Sequence, residues 1–377
     1  MKKLLFAAST LSHIENFHIP YLKYFKENGF EVHILGKENN KSPIPYVDKI
    51  IPIDFEKNMF SIKNFFNAFK ISRLVKKENY SLISTHTILA SFFTRLGVMI
   101  SLKKHPLIIN TVHGYLFDEN SNFIKKIIMI LAEKFVRPVT DTILVMNSSD
   151  YSIAKKYKLY KKNLYLINGM GINSSKFPFC TTQNKIYFRE KYNISKNDFI
   201  LIYVAEFSER KNQKFLIDSM KKLVNEGYSN IKLYLLGDGM LLDEIKRYSE
   251  SLAINNNIIF KGYVSEVCDY YNICDVCVSS SRIEGLPFNI MEAMSTGLPI
   301  IASKIKGHID LVNHSSNGFL YDFNDIYSFC NYVKELYNNR NLLHSMGNTS
   351  YELSKNYTLE FVYPKITNIM INEYKNN

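Results

Sequence analysis

The sequence predicts an α/β protein made of two consecutive doubly wound halves, each a parallel sheet covered by helices on both faces. Three observations predict it. The chain has 377 residues, enough for two domains of ordinary size. Short apolar runs alternate with helix-like stretches through the first half, which is the signature of βαβ units. The same alternation then restarts, so a second sheet of similar size follows the first. Ligands of such sheets bind beyond the carboxyl ends of the strands, and a cleft between two facing halves is the expected site.

In the first half, Leu4–Ala8 reads as a buried strand rather than a secretory signal. Its apolar run is short, and His13, Glu15 and His18 follow at once. Residues 20–28 read as a helix closed by Gly29, and 31–35 as a second strand. Further strands are expected at 82–85, 107–111 and 142–145, with helices at 62–78 and 123–136. In the second half the expected strands are 199–204, 231–236, 258–260, 276–279 and 299–302. The helices are 214–226, 240–252, 289–295 and 326–338. The turn-rich stretch Asn168-Gly-Met-Gly171-Ile-Asn173, followed by Phe177-Pro178-Phe179, marks the boundary. The expected domains are therefore 1–168, 169–357 and a helix-capable tail, 358–377. The tail contains Pro364 and is placed to return to the first domain with a kink there.

Five cysteines, an odd number with no framework spacing, argue against a disulfide scaffold. Cys274 and Cys277 have C-x-x-C spacing, but they lie in Ile273–Val278, which reads as a buried strand, so both are expected to be core residues. The net charge of +12 lies entirely in the first half. Residues 1–165 hold 25 Lys and Arg against 13 Asp and Glu, and the remainder holds 22 of each. That asymmetry points to an anionic partner, acidic lipid or nucleic acid; the plain alternative is a solubilising face. No nucleic-acid motif accompanies the charge, so nucleic acid is not expected as a partner. No run reaches the ~18 apolar residues of a membrane span. A cytoplasmic protein is expected, held peripherally at the inner face of a membrane. The stretch 122–137, apolar with Lys125, Lys126, Lys134 and Arg137 at its edges, is the candidate contact. An ordinary domain helix is the alternative.

The most informative stretch runs from Ser279 to Pro299. A buried strand ends at Ser279, and a polar loop carries Glu284, Gly285 and Leu286. Pro287 suits the first turn of a helix, where its missing N–H costs nothing. The helix that follows, with Phe288 near its start, offers free backbone amides and a positive dipole end, an anion site suited to a diphosphate. Glu284 and Glu292 can each accept hydrogen bonds from hydroxyl groups, of a sugar and a ribose respectively.

Seven residues separate Glu284 from Glu292, and Ala-Met-Ser-Thr-Gly-Leu-Pro-Ile-Ile-Ala-Ser follows. This stretch resembles the donor-site signature of glycosyltransferase family 4. The resemblance covers nearly the whole chain and is strongest over residues 199–312. It implies the GT-B fold, two Rossmann-like domains facing across a cleft, and transfer with retention from a nucleotide-sugar substrate without a separate cofactor. The sequence around Thr10-Leu-Ser12-His13, with Phe17-His18-Ile19-Pro20, resembles a bacterial exopolysaccharide or capsule subgroup. That implies a UDP-sugar donor of a hexosyl or N-acetylhexosaminyl group and a lipid-linked saccharide acceptor.

The resemblance also implies residue roles. Lys211 stands at the family lysine that neutralises the departing diphosphate. Many relatives carry an arginine five residues earlier, where this chain has Glu206; Arg210 is the candidate substitute, with a solvated loop charge as the alternative. His113, in Thr111-Val-His113-Gly114, matches the His-Gly turn beside the donor sugar, where it contacts the sugar's 6-position or orients the acceptor. Gly114 allows close backbone approach. Ser12, His13 and His18 are candidates for acceptor contact. Gly237 belongs to a turn near the nucleotide, while Tyr263 and Val264 place backbone groups against the base. Gly307, His308 and Asp310 form a second tier. There is no Asp-x-Asp motif, so fixed cations and the helix dipole are expected in place of a metal. A non-catalytic nucleotide-sugar-binding module and a GT-B epimerase remain open as alternatives at this stage.

Overall fold

A computed structural model describes residues 2–37, 43–102, 105–118 and 121–377. The chain divides into two compact units, Met1–Gly171 with Glu360–Asn377, and Ile172–Leu359.

The first unit runs β1 (Lys2–Thr10), α1 (Leu11–Phe17), α2 (Ile19–Glu27), β2 (Phe30–Lys37), β3 (Lys49–Pro52), α3 (Ile62–Glu78), β4 (Leu82–Thr85) and α4 (Ile88–Ser101). It continues with β5 (Leu107–Val112), α5 (Phe123–Val136), β6 (Thr142–Val145), α6 (Ser148–Tyr157) and β7 (Asn163–Leu166). Its seven strands lie in the order β3-β2-β1-β4-β5-β6-β7, all parallel. The order reverses between β1 and β4, so the loops after these two strands diverge and leave a crevice at the carboxyl edge. Strands β1, β4, β5 and β6 are buried on both faces, which explains their unbroken apolar runs.

The second unit runs α7 (Thr182–Lys191), β8 (Phe199–Val204), α8 (Gln213–Asn225), β9 (Ile231–Leu236), α9 (Leu242–Ser251), β10 (Ile258–Gly262) and α10 (Val267–Ile273). Then come β11 (Val276–Ser279), α11 (Phe288–Ser295), β12 (Ile300–Ser303), β13 (Gly318–Tyr321), α12 (Ile326–Asn338) and α13 (Arg340–Ser354). Its sheet has the order β10-β9-β8-β11-β12-β13, again parallel throughout, with the reversal between β8 and β11. Both sheets show the doubly wound pattern that the sequence predicts.

The last helix, α14 (Leu359–Lys375), contains Pro364 and belongs from Glu360 onward to the first unit. Glu373 fixes it there: the carboxylate accepts from Thr142 (2.6 Å), Asn163 (2.8 Å) and Tyr165 (2.9 Å). Arg95 on α4 grips Glu133 on α5 through two bonds of 2.8 and 2.9 Å. In the second unit, Asp275 receives Lys185 and Arg189 of α7, each at 2.7 Å. Burial opposes ionisation of Asp275, but the two cations outweigh it and hold the carboxyl below its usual range.

Three sequence expectations change. The helix expected over 20–28 is α2, Ile19–Glu27, with Pro20 in its first turn, where no N–H is needed, but a further short helix not expected, α1, precedes it and ends at Phe17. Pro287 is the N-cap of α11 and not a residue of its first turn, because its ψ of 122° is extended. Ile273 ends α10 and Cys274 caps it, so the expected strand 273–278 starts only at Val276. Both cysteines are nonetheless buried and unpaired, as expected.

Candidate functional site

In the second unit, the loops after β8 and β11 flank the strand-order reversal, and they carry the charges. Lys211 Nζ lies 2.6 Å from Glu284 Oε1, and Arg210 Nη1 lies 3.0 Å from Oε2 of the same carboxylate. Lys211 and Glu284 are buried, while Arg210 is about two-fifths exposed. Burial presses the Lys211 ammonium below its ordinary range, against the pull of Glu284. Burial likewise opposes charge on Glu284, but Lys211 and Arg210 prevail and keep it a carboxylate. The group thus holds two cations and one anion, a net positive charge at the carboxyl edge of the sheet.

Hydroxyl groups fix the two loops to each other. Ser280 Oγ donates to the Lys211 or Asn212 carbonyl, both at 2.9 Å, and Tyr203 OH reaches Lys211 O at 3.2 Å and Ser281 Oγ at 2.7 Å. The backbone N–H of Arg282 donates to the Arg210 carbonyl at 2.8 Å. Asn289 in the first turn of α11 donates to Val204 O at the end of β8 (2.9 Å), tying the helix start to this loop pair. The N-cap residue of α11, Pro287, has no side-chain group to cap the helix, so the positive end of the helix dipole lies at this loop pair.

Two glycines set close backbone approaches here. Gly237 has φ of +135°, and a Cβ there would stand 2.1 Å from the Ala205 carbonyl oxygen; its N–H donates to Gly262 O at 2.7 Å. Gly307 has φ of +81°, and a Cβ would stand 2.4 Å from Gly285 O. The loops after β8, β9, β10, β11 and β12 therefore knit into one rim. Beneath it His308 is fully buried: Nδ1 donates to Ser303 O (2.8 Å), and Nε2 lies 3.1 Å from Ser279 Oγ. Burial pushes its pKa down to about 4, which keeps it neutral. Glu292, further along α11, is largely buried; burial raises its pKa to about 7, opposed by a 3.3 Å bond from Tyr271 OH.

In the first unit the loops after β1, β4 and β5 gather four histidines, His13, His18, His86 and His113. The closest ring centroids are His18–His86 at 4.0 Å and His13–His113 at 4.7 Å. His86 Nδ1 lies 3.2 Å from His113 Nε2, and His86 Nε2 lies 2.9 Å from Ser84 Oγ. Burial, reinforced by neighbouring rings, holds His18, His86 and His113 well below the ordinary imidazole range. Burial alone takes His13 to about 4. All four are neutral at pH 7. A cavity of about 240 Å³ opens beside them, lined by Thr87, Ser91, Asn110, Thr111, His113 and Gly114 among others.

Two family models match the chain: "Glycosyl transferase 4-like" over residues 3–147 and "Glycosyl transferases group 1" over residues 184–353. The putative glycosyltransferase EpsD of Bacillus subtilis is 29% identical, covering 92% of this chain and 90% of its own. A UDP-Gal:alpha-D-GlcNAc-diphosphoundecaprenol alpha-1,3-galactosyltransferase of Escherichia coli is 26% identical, covering 85% of this chain and 84% of its own. The crystal structure of Anabaena HepE in complex with UDP superposes with a TM-score of 0.77 at 16% identity, covering 99% of this chain and 100% of that one. This chain belongs to the family 4-type glycosyltransferases. It is an enzyme of the GT-B fold whose relatives include the capsular polysaccharide biosynthesis glycosyltransferase CapM of Staphylococcus aureus.

Within the glycosyltransferase, the second unit brings Arg210, Lys211, Glu284, Gly285, Leu286, Pro287, Phe288 and Glu292 to the β8 and β11 loops and α11. Gly237 packs on the same rim, and Tyr263 and Val264 follow β10, the Tyr263 ring being 83% exposed. Glu206 is exposed on the β8 loop, beside the clamp but not in it. In the first unit His13, His18 and His113 come together. Ser12 lies beside them and donates to Thr10 Oγ1 at 3.1 Å. His18 is fully buried, so its ring sits among packed rings rather than at a surface. Sequence reasoning missed Tyr203, Ser280 and His86. His86 directly follows the buried strand β4, the same strand-end signal that singled out His113.

Proposed function

We propose that the enzyme transfers a hexosyl or N-acetylhexosaminyl group, with retention, from a UDP-sugar to a lipid-linked saccharide during cell-surface polysaccharide synthesis. The observation that carries this reading is the Arg210–Lys211–Glu284 cluster beside the N-terminal end of α11. Its net positive charge and the helix amides suit a pyrophosphate, whose negative charge grows as the sugar departs. Glu284 holds both cations in place and offers its remaining acceptor capacity to sugar hydroxyls. Glu292 accepts from ribose hydroxyls, and the turns at Gly237 and at Tyr263 and Val264 receive the base.

In this reaction the bond from C1 of the sugar to the diphosphate breaks, and a bond from C1 to an acceptor hydroxyl oxygen forms on the same face. The hydroxyl proton passes to the departing phosphate oxygen. Both oxygens of Glu284 are engaged by cations, which disfavours it as a covalent nucleophile. His113, neutral through burial, orients the acceptor, with Ser12 and His13 beside it. The E. coli relative is named for a UDP-galactose donor and a diphosphoundecaprenol acceptor, and HepE structures hold UDP and UDP-glucose. Both support the donor and acceptor classes proposed.

Work on a lipid-linked acceptor calls for a membrane surface, and we place the enzyme peripherally at its cytoplasmic face. No described helix is long and apolar enough to cross a membrane. Helices α3 and α5 both pack on α4 and carry exposed apolar side chains, Ile62 and Phe123 each at 74%. A panel of UDP-sugars with membrane extract as acceptor, scored by UDP release, tests the proposal; no release with any UDP-sugar refutes it. Thermal shift with UDP, GDP and ADP tests the base, with UDP expected to give the largest rise.

A further inference from the structure

The histidine cluster of the first unit is left only partly explained by acceptor orientation. His13 Nε2 and both ring nitrogens of His18 are buried without a hydrogen-bond partner among the described residues. An orphaned buried nitrogen is destabilising, and three meet at one place where phenylalanine or leucine would pack without that cost. Buried polar atoms of this kind call for a ligand. Water or a metal ion can satisfy them, and the arrangement separates the two.

One potential ligand atom from each of His13, His18 and His113 lies within 4.8 Å of the others. Nitrogens bound to one tetrahedral zinc ion stand roughly 3.3 Å apart, given bonds of about 2.0–2.1 Å. Side-chain rotation of an ångström or so therefore brings them into register. The rings are neutral, so each has a lone pair to give, and there is no carboxylate in the set. His86 supplies the outer support that metal-bound imidazoles require. With His86 Nε2 donating to Ser84 Oγ, its Nδ1 accepts from His113 Nε2–H. That tautomer leaves the Nδ1 lone pair of His113 free.

We propose that His13, His18 and His113 form a binding site for a divalent transition-metal ion of the zinc class. Three imidazoles select zinc-like ions over magnesium or calcium, which prefer oxygen. Three protein ligands leave a fourth position for water or an anionic oxygen, and His13 and His113 are both only partly buried. The only other such grouping among the described residues is Glu31, His33 and Glu78. It is already answered: Lys3 and Lys49 hold Glu78 at 2.7 and 2.6 Å, and Tyr80 and Glu31 hold His33 at 2.8 Å each. The proposal rests on these first-unit residues and stands apart from the identity of the sugar donor.

The test uses the untagged full chain, stripped with a chelator and titrated with Co²⁺ and then Zn²⁺. A single equivalent of Co²⁺ is expected to give the visible absorption of a low-coordinate nitrogen site, bleached when Zn²⁺ displaces it. Zn²⁺ should also raise the thermal unfolding temperature of the wild type. Both signals should be lost in His13→Gln, whose partly exposed position makes folding safe, and in His18→Gln if it folds. Glu31→Gln should retain both. Absence of the cobalt signal in the wild type overturns the proposal. So does its survival in His13→Gln, or its loss in Glu31→Gln.

Discussion

The ammonium of Lys211 stands 2.6 Å from Oε1 of Glu284, and both groups are buried. The pair is therefore structural and electrostatic at once, because removing either charge leaves the other in a place of low polarity. Lys211→Ala should slow turnover by roughly 10²–10³-fold, the usual loss of a preorganised charge at a developing anion. It should also lower stability, by less than the roughly 3–5 kcal/mol of a fully broken buried pair, since Arg210 still holds Oε2. UDP-release kinetics and thermal unfolding measure the two effects. Near-normal turnover would sink the clamp assignment.

Arg210 reaches the same carboxylate from a partly exposed position, so its removal should separate catalysis from folding. Arg210→Ala is expected to cut kcat/KM by about 10–100-fold, or 1.4–2.7 kcal/mol at the transition state, with a smaller fall in unfolding temperature than Lys211→Ala because the guanidinium is partly exposed and Lys211 still holds the buried Glu284 carboxylate. Glu206 is exposed on the same loop, at the position where the resemblance to family 4 implies an arginine. Adding Glu206→Arg to Arg210→Ala should recover part of the lost rate. If the double variant is no faster than Arg210→Ala, the two positions do not share the diphosphate.

Much of this architecture was legible in the sequence. The strands Leu82–Thr85, Thr142–Val145, Phe199–Val204, Ile231–Leu236 and Val276–Ser279 match their expected bounds because they are buried apolar runs between polar loops. The strands β3 and β7, with Ile50, Ile51, Leu164 and Tyr165 only partly buried, escaped notice. They are short edge strands, and burial on one side does not write a continuous apolar run. β13 escaped because it opens on Gly318, whose missing side chain lets the Ile300 backbone approach closely. At the site, Glu284 and Glu292 were visible in the one continuous stretch that leads from the β11 loop into α11, and Lys211 through the resemblance of its loop to the family. The four-histidine cluster was not, because His13, His18, His86 and His113 are joined only by the order of β1, β4 and β5 in the sheet.

Glu292 makes stability depend on pH in a defined direction. Burial raises its folded pKa from 4.5 to about 7. Between these values the folded state binds more protons than the unfolded chain, so this residue's effect is to lower stability as pH rises through that window. The penalty is absent below pH 4.5 and complete above about 7, where it amounts to roughly 3–4 kcal/mol. Glu292→Gln removes the titration. Its unfolding temperature should gain on the wild type between pH 5 and pH 8, while UDP binding weakens through loss of a hydroxyl acceptor. A difference from wild type that stays constant across this range would show that Glu292 titrates normally.

Membrane attachment is the most separable part of the proposed function, because the residues concerned take no part in the fold's core. Phe123, Ile124, Leu131 and Phe135 of α5 are 58–74% exposed, and Lys125, Lys126 and Lys134 stand among them. On α3, Ile62, Phe66 and Phe69 are exposed beside Lys63 and Lys70. An apolar side chain that enters a bilayer gains up to about 1.5–3 kcal/mol, and each lysine near anionic lipid adds about 1 kcal/mol. Phe123→Glu with Leu131→Glu should therefore reduce co-sedimentation with phosphatidylglycerol vesicles by at least tenfold. Turnover on a water-soluble acceptor analogue and the unfolding temperature should be unchanged, since neither side chain is packed. Lys125→Glu with Lys126→Glu should weaken binding to anionic vesicles only, and raised salt should mimic that loss. Equal sedimentation of wild type and the apolar double variant, or binding indifferent to anionic lipid, would exclude these helices as the docking face.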